Sequence, residues 1–188
     1  QMDDERPVRG MNRREFFRRT GGGLVLLFTT GPQQAARATT TEKIAAADAP
    51  AFNAYLRIGD DGRVTCFTGK IEMGQGIVTS LAQMMADELD VRLTDIDMVM
   101  GDTDRCPFDR GTWGSQSTRI FGPEMLDACA KSRAVMLDMA AEHLGVPNSR
   151  LEITQGVISD REETSKKVSY AELTEGKEIV RDVAEITT

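Results

Sequence analysis

The sequence predicts an α+β fold in which a β-hairpin, a helix, a strand, a long loop, a long helix and a small hairpin follow one another. Three features predict it. Short β-branched and aromatic runs flank Gly59-Asp60-Asp61-Gly62, a hairpin signature. Two stretches with helical apolar spacing each open just after a glycine-containing loop. The loop before the second stretch is far longer than the roughly four to six residues that usually join elements.

The elements follow in order. Tyr55-Leu56-Arg57-Ile58 and Val64-Thr65-Cys66-Phe67-Thr68 form the hairpin. After Glu72-Met73-Gly74-Gln75-Gly76, the residues Ile77, Leu81, Met84, Met85 and Leu89 fall on one helical face. Ile96-Asp97-Met98-Val99-Met100 alternates like a strand and is punctuated by Gly101-Asp102-Thr103-Asp104. The long loop runs from Asp102 to about Thr118 and carries Pro107, Gly111 and Gly114, which marks it as a candidate functional loop. Pro123 suits the first turn of the long helix, with Met125, Leu126, Cys129, Val135, Met136, Met139, Ala140 and Leu144 facing inward before Gly145 and Pro147 stop it. A small hairpin turns at Gln155-Gly156, a charged loop follows, and a short turn lies near Tyr170 to Leu173.

The head of the chain reads differently. Residues 1–38 have a signal-peptide layout: Asn12-Arg13-Arg14-Glu15-Phe16-Phe17-Arg18, an apolar stretch from Gly21 to Thr30, then Ala36-Arg37-Ala38. The paired arginines resemble a twin-arginine export signal, and the apolar stretch is too short for a bilayer span of about 20 residues. Residues 39–50 read as a linker, 51–175 as the folded segment, and 176–188 as an exposed tail or a connection to more protein. The expected location is the periplasm or the periplasmic face of the inner membrane.

Composition excludes several functions. The 188 residues carry a formal net charge of −7, and residues 51–188 hold 15 basic against 24 acidic side chains, so no clustered positive face exists for a nucleic-acid backbone. Cys66, Cys106 and Cys129 are widely spaced, and His143 is the one histidine, so no protein-ligated metal centre is expected and no nucleophile–base pair suggests itself. The methionines fall on core faces and read as packing. Asp102, Asp104 and Asp109 read as turn chemistry, because Cys106-Pro107 breaks the spacing of a calcium loop.

What remains is two donor-rich loops. Gly74-Gln75-Gly76 opens a helix, where free N–H groups and the helix dipole favour an anion. Gly111-Thr112-Trp113-Gly114-Ser115-Gln116-Ser117-Thr118 offers four hydroxyls and one amide before the second helix. Singly, each fits an ordinary turn or cap; together they suit a ligand with several anionic or polar parts, such as a dinucleotide. Glu72 reads as structural, since a carboxylate beside an anionic ligand is repelled unless turned away.

The stretch from Gly69-Lys70-Ile71-Glu72-Met73-Gly74-Gln75-Gly76-Ile77 through Gln83, Glu88-Leu89 and Met100-Gly101-Asp102-Thr103-Asp104 to Gly114-Ser115-Gln116-Ser117-Thr118 resembles the molybdenum-binding large subunit of the xanthine oxidase family of molybdenum hydroxylases. The nearest branch is the exported isoquinoline 1-oxidoreductase-like or aldehyde dehydrogenase-like one, and the resemblance covers about Phe52 to Leu173. It implies that Met73, Gly74, Gln75, Gly76, Thr112, Gly114, Ser115, Gln116, Ser117 and Thr118 bind a molybdopterin cofactor, in its cytosine dinucleotide form. Trp113 departs from the small residue usual there. The resemblance supplies no catalytic residue in this chain, because the family's glutamate base lies in a C-terminal motif with no counterpart here. It therefore implies a partner chain carrying the rest of the molybdenum subunit, a small 2Fe-2S subunit with iron–sulfur clusters, and a cytochrome c subunit with haem. The implied reaction is oxidation of an aldehyde or hydroxylation of an aromatic heterocycle, with water as oxygen donor. The other reading of the same loops is a non-enzymatic exported module that binds a nucleotide or phosphorylated ligand.

Overall fold

The computed structural model describes residues 23–28, 54–109, 111–183 and 186. A five-stranded sheet lies at its centre, built from β1 (Gly23–Phe28), β2 (Ala54–Ile58), β3 (Val64–Thr68), β4 (Ile96–Met100) and β8 (Glu178–Asp182), in the order β4-β3-β2-β1-β8. The predicted hairpin is β2–β3, paired antiparallel with Tyr55 opposite Phe67. β4 lies parallel to β3, so the intervening helix α1 (Ile77–Leu89) is the crossover of a βαβ unit. Helix α2 (Gly122–Leu144) packs beside α1 on the same face. A second, antiparallel sheet of β5 (Leu151–Thr154), β6 (Val157–Asp160) and β7 (Lys167–Ser169) leads into the short helix α3 (Tyr170–Thr174).

Strand alternation divides the core in two. Leu24, Leu26, Phe28, Leu56, Ile58, Val64 and Cys66 face the helices and meet Ile77, Leu81, Met85, Leu89, Met125, Cys129 and Met136. Val25, Leu27, Tyr55 and Phe67 point to the opposite face, where Tyr55 stacks on Phe67 at 4.3 Å between centroids. The loop after β4 folds over them: the Tyr55 hydroxyl donates to the Arg105 carbonyl (2.7 Å), and the Arg105 guanidinium lies 5.3 Å from the Phe67 ring centre. The methionines predicted as core are buried or half-buried in the helix-side cluster. Met136, fully buried in the middle of α2, is the position to test: Met136→Ala should cost about 2–5 kcal/mol by denaturant unfolding. A loss below about 1 kcal/mol would mean that α2 is not packed as described.

Helix ends follow from local chemistry. α2 has Pro123 in its first turn and ends at Gly145, whose left-handed φ of 66° lets Gly145 and Val146 donate to the Ala141 carbonyl. Gly122 is where α1 and α2 approach: a Cβ there would lie 2.8 Å from Met84 Cε. α3 carries a full capping box between Ser169 and Glu172.

Three stretches differ from the sequence reading. Gly23–Phe28, expected as the apolar centre of an export signal, forms β1 between β2 and β8, with all six residues buried. A short, unbroken apolar run satisfies a signal core and a doubly buried strand equally, and periodicity cannot separate them. The tail 176–188 contributes β8, whose sequence Glu-Ile-Val-Arg-Asp shows no alternation to announce it. The charged loop before Tyr170 contains β7. Arg13-Arg14, Ala36-Arg37-Ala38 and the linker 39–50 lie outside the described residues. No described helix is long and apolar enough to cross a membrane.

Candidate functional site

The two donor-rich loops leave the sheet side by side, at the C-terminal ends of the parallel strands β3 and β4, where open α/β sheets place their ligands. They are joined by an ion pair and a cross-loop hydrogen bond. Lys70 Nζ contacts Asp109 Oδ1 and donates to the Gly111 carbonyl, both at 2.8 Å, and the pair is almost buried, with 13% and 2% of the side chains exposed. The Gly111 amide also donates to Asp109 Oδ1 (2.7 Å), and the Ile71 amide donates to Thr112 Oγ1 (2.8 Å). Gly69 permits this approach, since a Cβ there would sit 2.4 Å from the Asp109 Cβ.

Between the loops lies a groove of about 630 Å³, within the size range of small-molecule sites. Of the predicted site residues, Met73, Gln75, Thr112, Gly114, Ser115, Ser117 and Thr118 line it, together with Trp113 and Ser80. Gly74, Gly76 and Gln116 do not. Gln116 instead caps a single wide turn, Ser117–Phe121, with i→i+5 geometry, which runs directly into α2; such turns recur at functional sites. Ser115 is held in the left-handed region at φ 53° between Gly114 and that turn.

The amides of Gly74 and Gly76 are already taken. Glu72 Oε1 accepts from Gly74 (2.7 Å) and Gly76 (3.0 Å), and Oε2 accepts from Val78 (3.1 Å), so the carboxylate fills the start of α1. On the other side of the turn, Gln75 Oε1 accepts from the Met73 amide and Nε2 donates to the Ile71 carbonyl (2.9 Å). The amides of Val78 and then Gly76 hold the Glu72 carboxyl below the usual carboxylate range. Its contribution is therefore complete above the ordinary glutamate pKa of about 4.3 and is lost as pH falls through the depressed value. The amide resonances of Gly74, Gly76 and Val78 should shift together with one midpoint below about 4.3; a midpoint at or above that value would contradict the cap.

Sequence reasoning missed two features. One is Glu72 as the helix cap, which a carboxylate two, four and six residues before the free amides could have signalled. The other is Arg119, which lines the groove and is the single charged side chain among its described lining residues. Arg119 has no hydrogen-bond or ion-pair partner among the described residues. The remaining candidates stay outside the chemistry. Burial pushes the Cys66 thiol up to about 12 and raises Cys129 and Cys106, while Cys106 Sγ donates to the Val99 carbonyl. Asp102 accepts from the amides of Asp104 and Arg105, as turn chemistry requires. His143 is exposed near the end of α2. Among the described residues no group of three or more His, Cys, Asp or Glu stands ready to hold a metal ion.

A family model described as a molybdopterin cofactor-binding domain matches residues 4–186. The chain belongs to that family. This molybdopterin cofactor-binding domain is 40% identical over 124 residues to a nicotinate dehydrogenase component of Pseudomonas putida, a match that covers 65% of the chain and 10% of that protein. It is 37% identical over 100 residues to the carbon monoxide dehydrogenase large chain of Afipia carboxidovorans, covering 53% and 12%. Among solved structures, the reconstituted CO dehydrogenase from Oligotropha carboxidovorans superposes with a TM-score of 0.57 at 33% identity, covering 64% of this chain and 15% of that one. Quinoline 2-oxidoreductase from Pseudomonas putida 86 gives 0.55 at 25% identity, covering 72% and 17%. The chain thus spans between a tenth and a fifth of these relatives, and it is the molybdopterin-binding part of a molybdenum hydroxylase family member.

The groove fits such a cofactor chemically. Its lining combines hydroxyls, the Gln75 carboxamide and the Arg119 guanidinium, a donor-rich set suited to a polar, negatively charged ligand, with Met73, Ile77 and Trp113 available to a flat ring system.

Proposed function

We propose that this chain forms one wall of the molybdopterin site in an exported molybdenum hydroxylase, the other wall and the catalytic base coming from a polypeptide that carries the rest of the molybdenum subunit. The observation that carries the reading is the convergence of both predicted loops on one groove whose only charged described lining residue is a cation, in a chain of net charge −7.

When bound, the cofactor supplies the redox chemistry of hydroxylation with water as oxygen donor. The chain's own residues bind and orient it. Gln75 is pre-set by Ile71 and Met73 with its carboxamide at the groove, and Ser115, Ser117 and Thr118 offer hydroxyls from a loop fixed by the Lys70–Asp109 pair. Donors fixed before the ligand arrives need no reordering when it binds. The cytosine dinucleotide form suits a groove of about 630 Å³ lined by several hydroxyls.

An aromatic N-heterocycle is the substrate class that the named relatives favour over an aldehyde, since two of them are named for nicotinate and quinoline. Iron–sulfur and cytochrome c subunits would carry the electrons away. A completing chain is supported by the surface: Ile71, Met73, Val78, Phe108 and Trp113, five of the six large apolar side chains exposed among the described residues, belong to the two loops and the start of α1.

The test is metal and nucleotide analysis of the native assembly. Molybdenum in the complex, with a cytosine nucleotide released on denaturation, is expected. A monodisperse, metal-free monomer that binds plain nucleotides would instead support the phospholigand-binding module.

A further inference from the structure

Gly23–Phe28 answers to two descriptions. In the sequence it is the apolar centre of an export-signal layout, preceded by Asn12-Arg13-Arg14-Glu15-Phe16-Phe17-Arg18 and followed by Ala36-Arg37-Ala38. In the fold it is β1, an interior strand of the five-stranded sheet. The two roles need the same side chains in different places. An apolar run binds a membrane or a receptor with the surface it exposes, and β1 exposes almost none: Leu24, Val25 and Leu26 are at 0%, Leu27 at 6% and Phe28 at 4%. Alternation sends Leu24, Leu26 and Phe28 into the helix-side core and Val25 and Leu27 into the opposite one, so both faces of the strand are covered. Both edges are covered as well, by Ala54–Ile58 on one side and Glu178–Asp182 on the other. Uncovering the run therefore opens both core layers together and leaves β8, whose sheet neighbour is β1 alone, without a strand to pair with.

We infer that β1 is an autoinhibitory contact on the chain's own export signal: residues 23–28 serve export only while they are outside the sheet, and closing the sheet withdraws them. Recognition of the signal then competes in time with the docking of β1, and a chain that folds first is retained. The inference rests on the reading of the chain as exported, and it adds a state of the fold in which that signal is silent.

The experiment has one arm for the signal and one for its masking. Residues 1–38 fused ahead of a reporter should carry it out of the bacterial cytoplasm, and Arg13→Lys with Arg14→Lys should stop it. For the masking, the purified full chain is mixed with vesicles of phosphatidylethanolamine and phosphatidylglycerol, which take up exposed apolar segments with a basic flank. The folded chain should bind about tenfold or more weakly than the peptide of residues 1–38, since its apolar run is buried. Along a urea series its vesicle binding should rise at the unfolding midpoint, while a chain that begins at Thr39 should not bind at any urea concentration. A disulfide between the directly opposed positions 25 and 57, made by Val25→Cys with Arg57→Cys, should move the binding and unfolding midpoints up together, and reduction should return both. Folded-chain binding equal to the peptide's, binding that rises before unfolding, equal binding by the chain that begins at Thr39, or no bond between positions 25 and 57 would each overturn the inference. Its failure is separable from that of the export reading. A reporter left in the cytoplasm removes the export reading whatever the vesicles show; an exported reporter with a folded chain that binds as the peptide does removes the masking alone.

Discussion

A chain that begins at Thr39 is expected to show no cooperative unfolding transition. Removing residues 1–38 removes β1, the strand between β2 and β8, and with it Leu24, Val25, Leu26, Leu27 and Phe28, all at most 6% exposed. At about 1.5–3 kcal/mol for each large apolar side chain withdrawn from water, the loss is on the order of 10 kcal/mol, an upper estimate because unfolded chains are partly collapsed. That is comparable with the about 5–15 kcal/mol that separates folded from unfolded domains. Backbone pairing goes too, since β1 is in register with Ala54–Ile58 on one side and Glu178–Asp182 on the other. Urea unfolding of the full and shortened chains checks this, and a shortened chain with an unchanged midpoint would show that β1 is dispensable. The result bears on export. Cleavage after Ala38 deletes an interior strand, so an exported chain with this fold keeps residues 23–28, as intact-mass measurement of the native protein would reveal.

Asp109→Ala is expected to cost about 3 kcal/mol or more, because it leaves the Lys70 ammonium in a nearly closed site without its carboxylate. The estimate sits at the low end for a buried pair, as Lys70 keeps the Gly111 carbonyl. For a domain of this size the melting temperature should fall by roughly 6–12 °C. The double variant Lys70→Met with Asp109→Leu should cost less than Asp109→Ala alone, since no charge is then stranded. A double variant as damaged as the sum of the single ones would mean that the two side chains act independently. The consequence reaches the groove, because the same contact holds Gly111 and Thr112 against Ile71. Asp109→Ala should loosen the second loop before it unfolds the domain, seen as faster amide exchange at residues 111–116.

Much of the fold was legible because local chemistry and tertiary packing agree. The β2–β3 hairpin, α1, β4, α2 and the β5–β6 hairpin each carry a periodic apolar face bounded by glycine or proline, and each forms within a residue or two of where that pattern places it. β1 and β8 were not legible, for opposite reasons. Gly23–Phe28 is uniformly apolar and so carries no period, while Glu178–Asp182 has two apolar residues flanked by charges and gains its place only by lying beside β1. At the site, the pairing of the two loops followed from their donor content, and the groove brings seven of the ten predicted residues together. Of the other three, Gly74 and Gly76 have their amides turned to Glu72, and Gln116 stands at the start of the wide turn before α2. Glu72 accepts from the amides at the start of α1, a role that its spacing two, four and six residues before them is compatible with and that the side-chain geometry establishes. Arg119 was overlooked because a single arginine in a hydroxyl-rich loop carries no spacing pattern; only the folded groove shows where it lies.

The most direct test is the structure of the assembled native enzyme at a resolution that shows the pterin. The account predicts that the cofactor lies against Gln75 and residues 115–118, with Glu72 still bonded to the amides of Gly74, Gly76 and Val78. A cofactor bound away from this groove, with both loops facing bulk solvent, would contradict it.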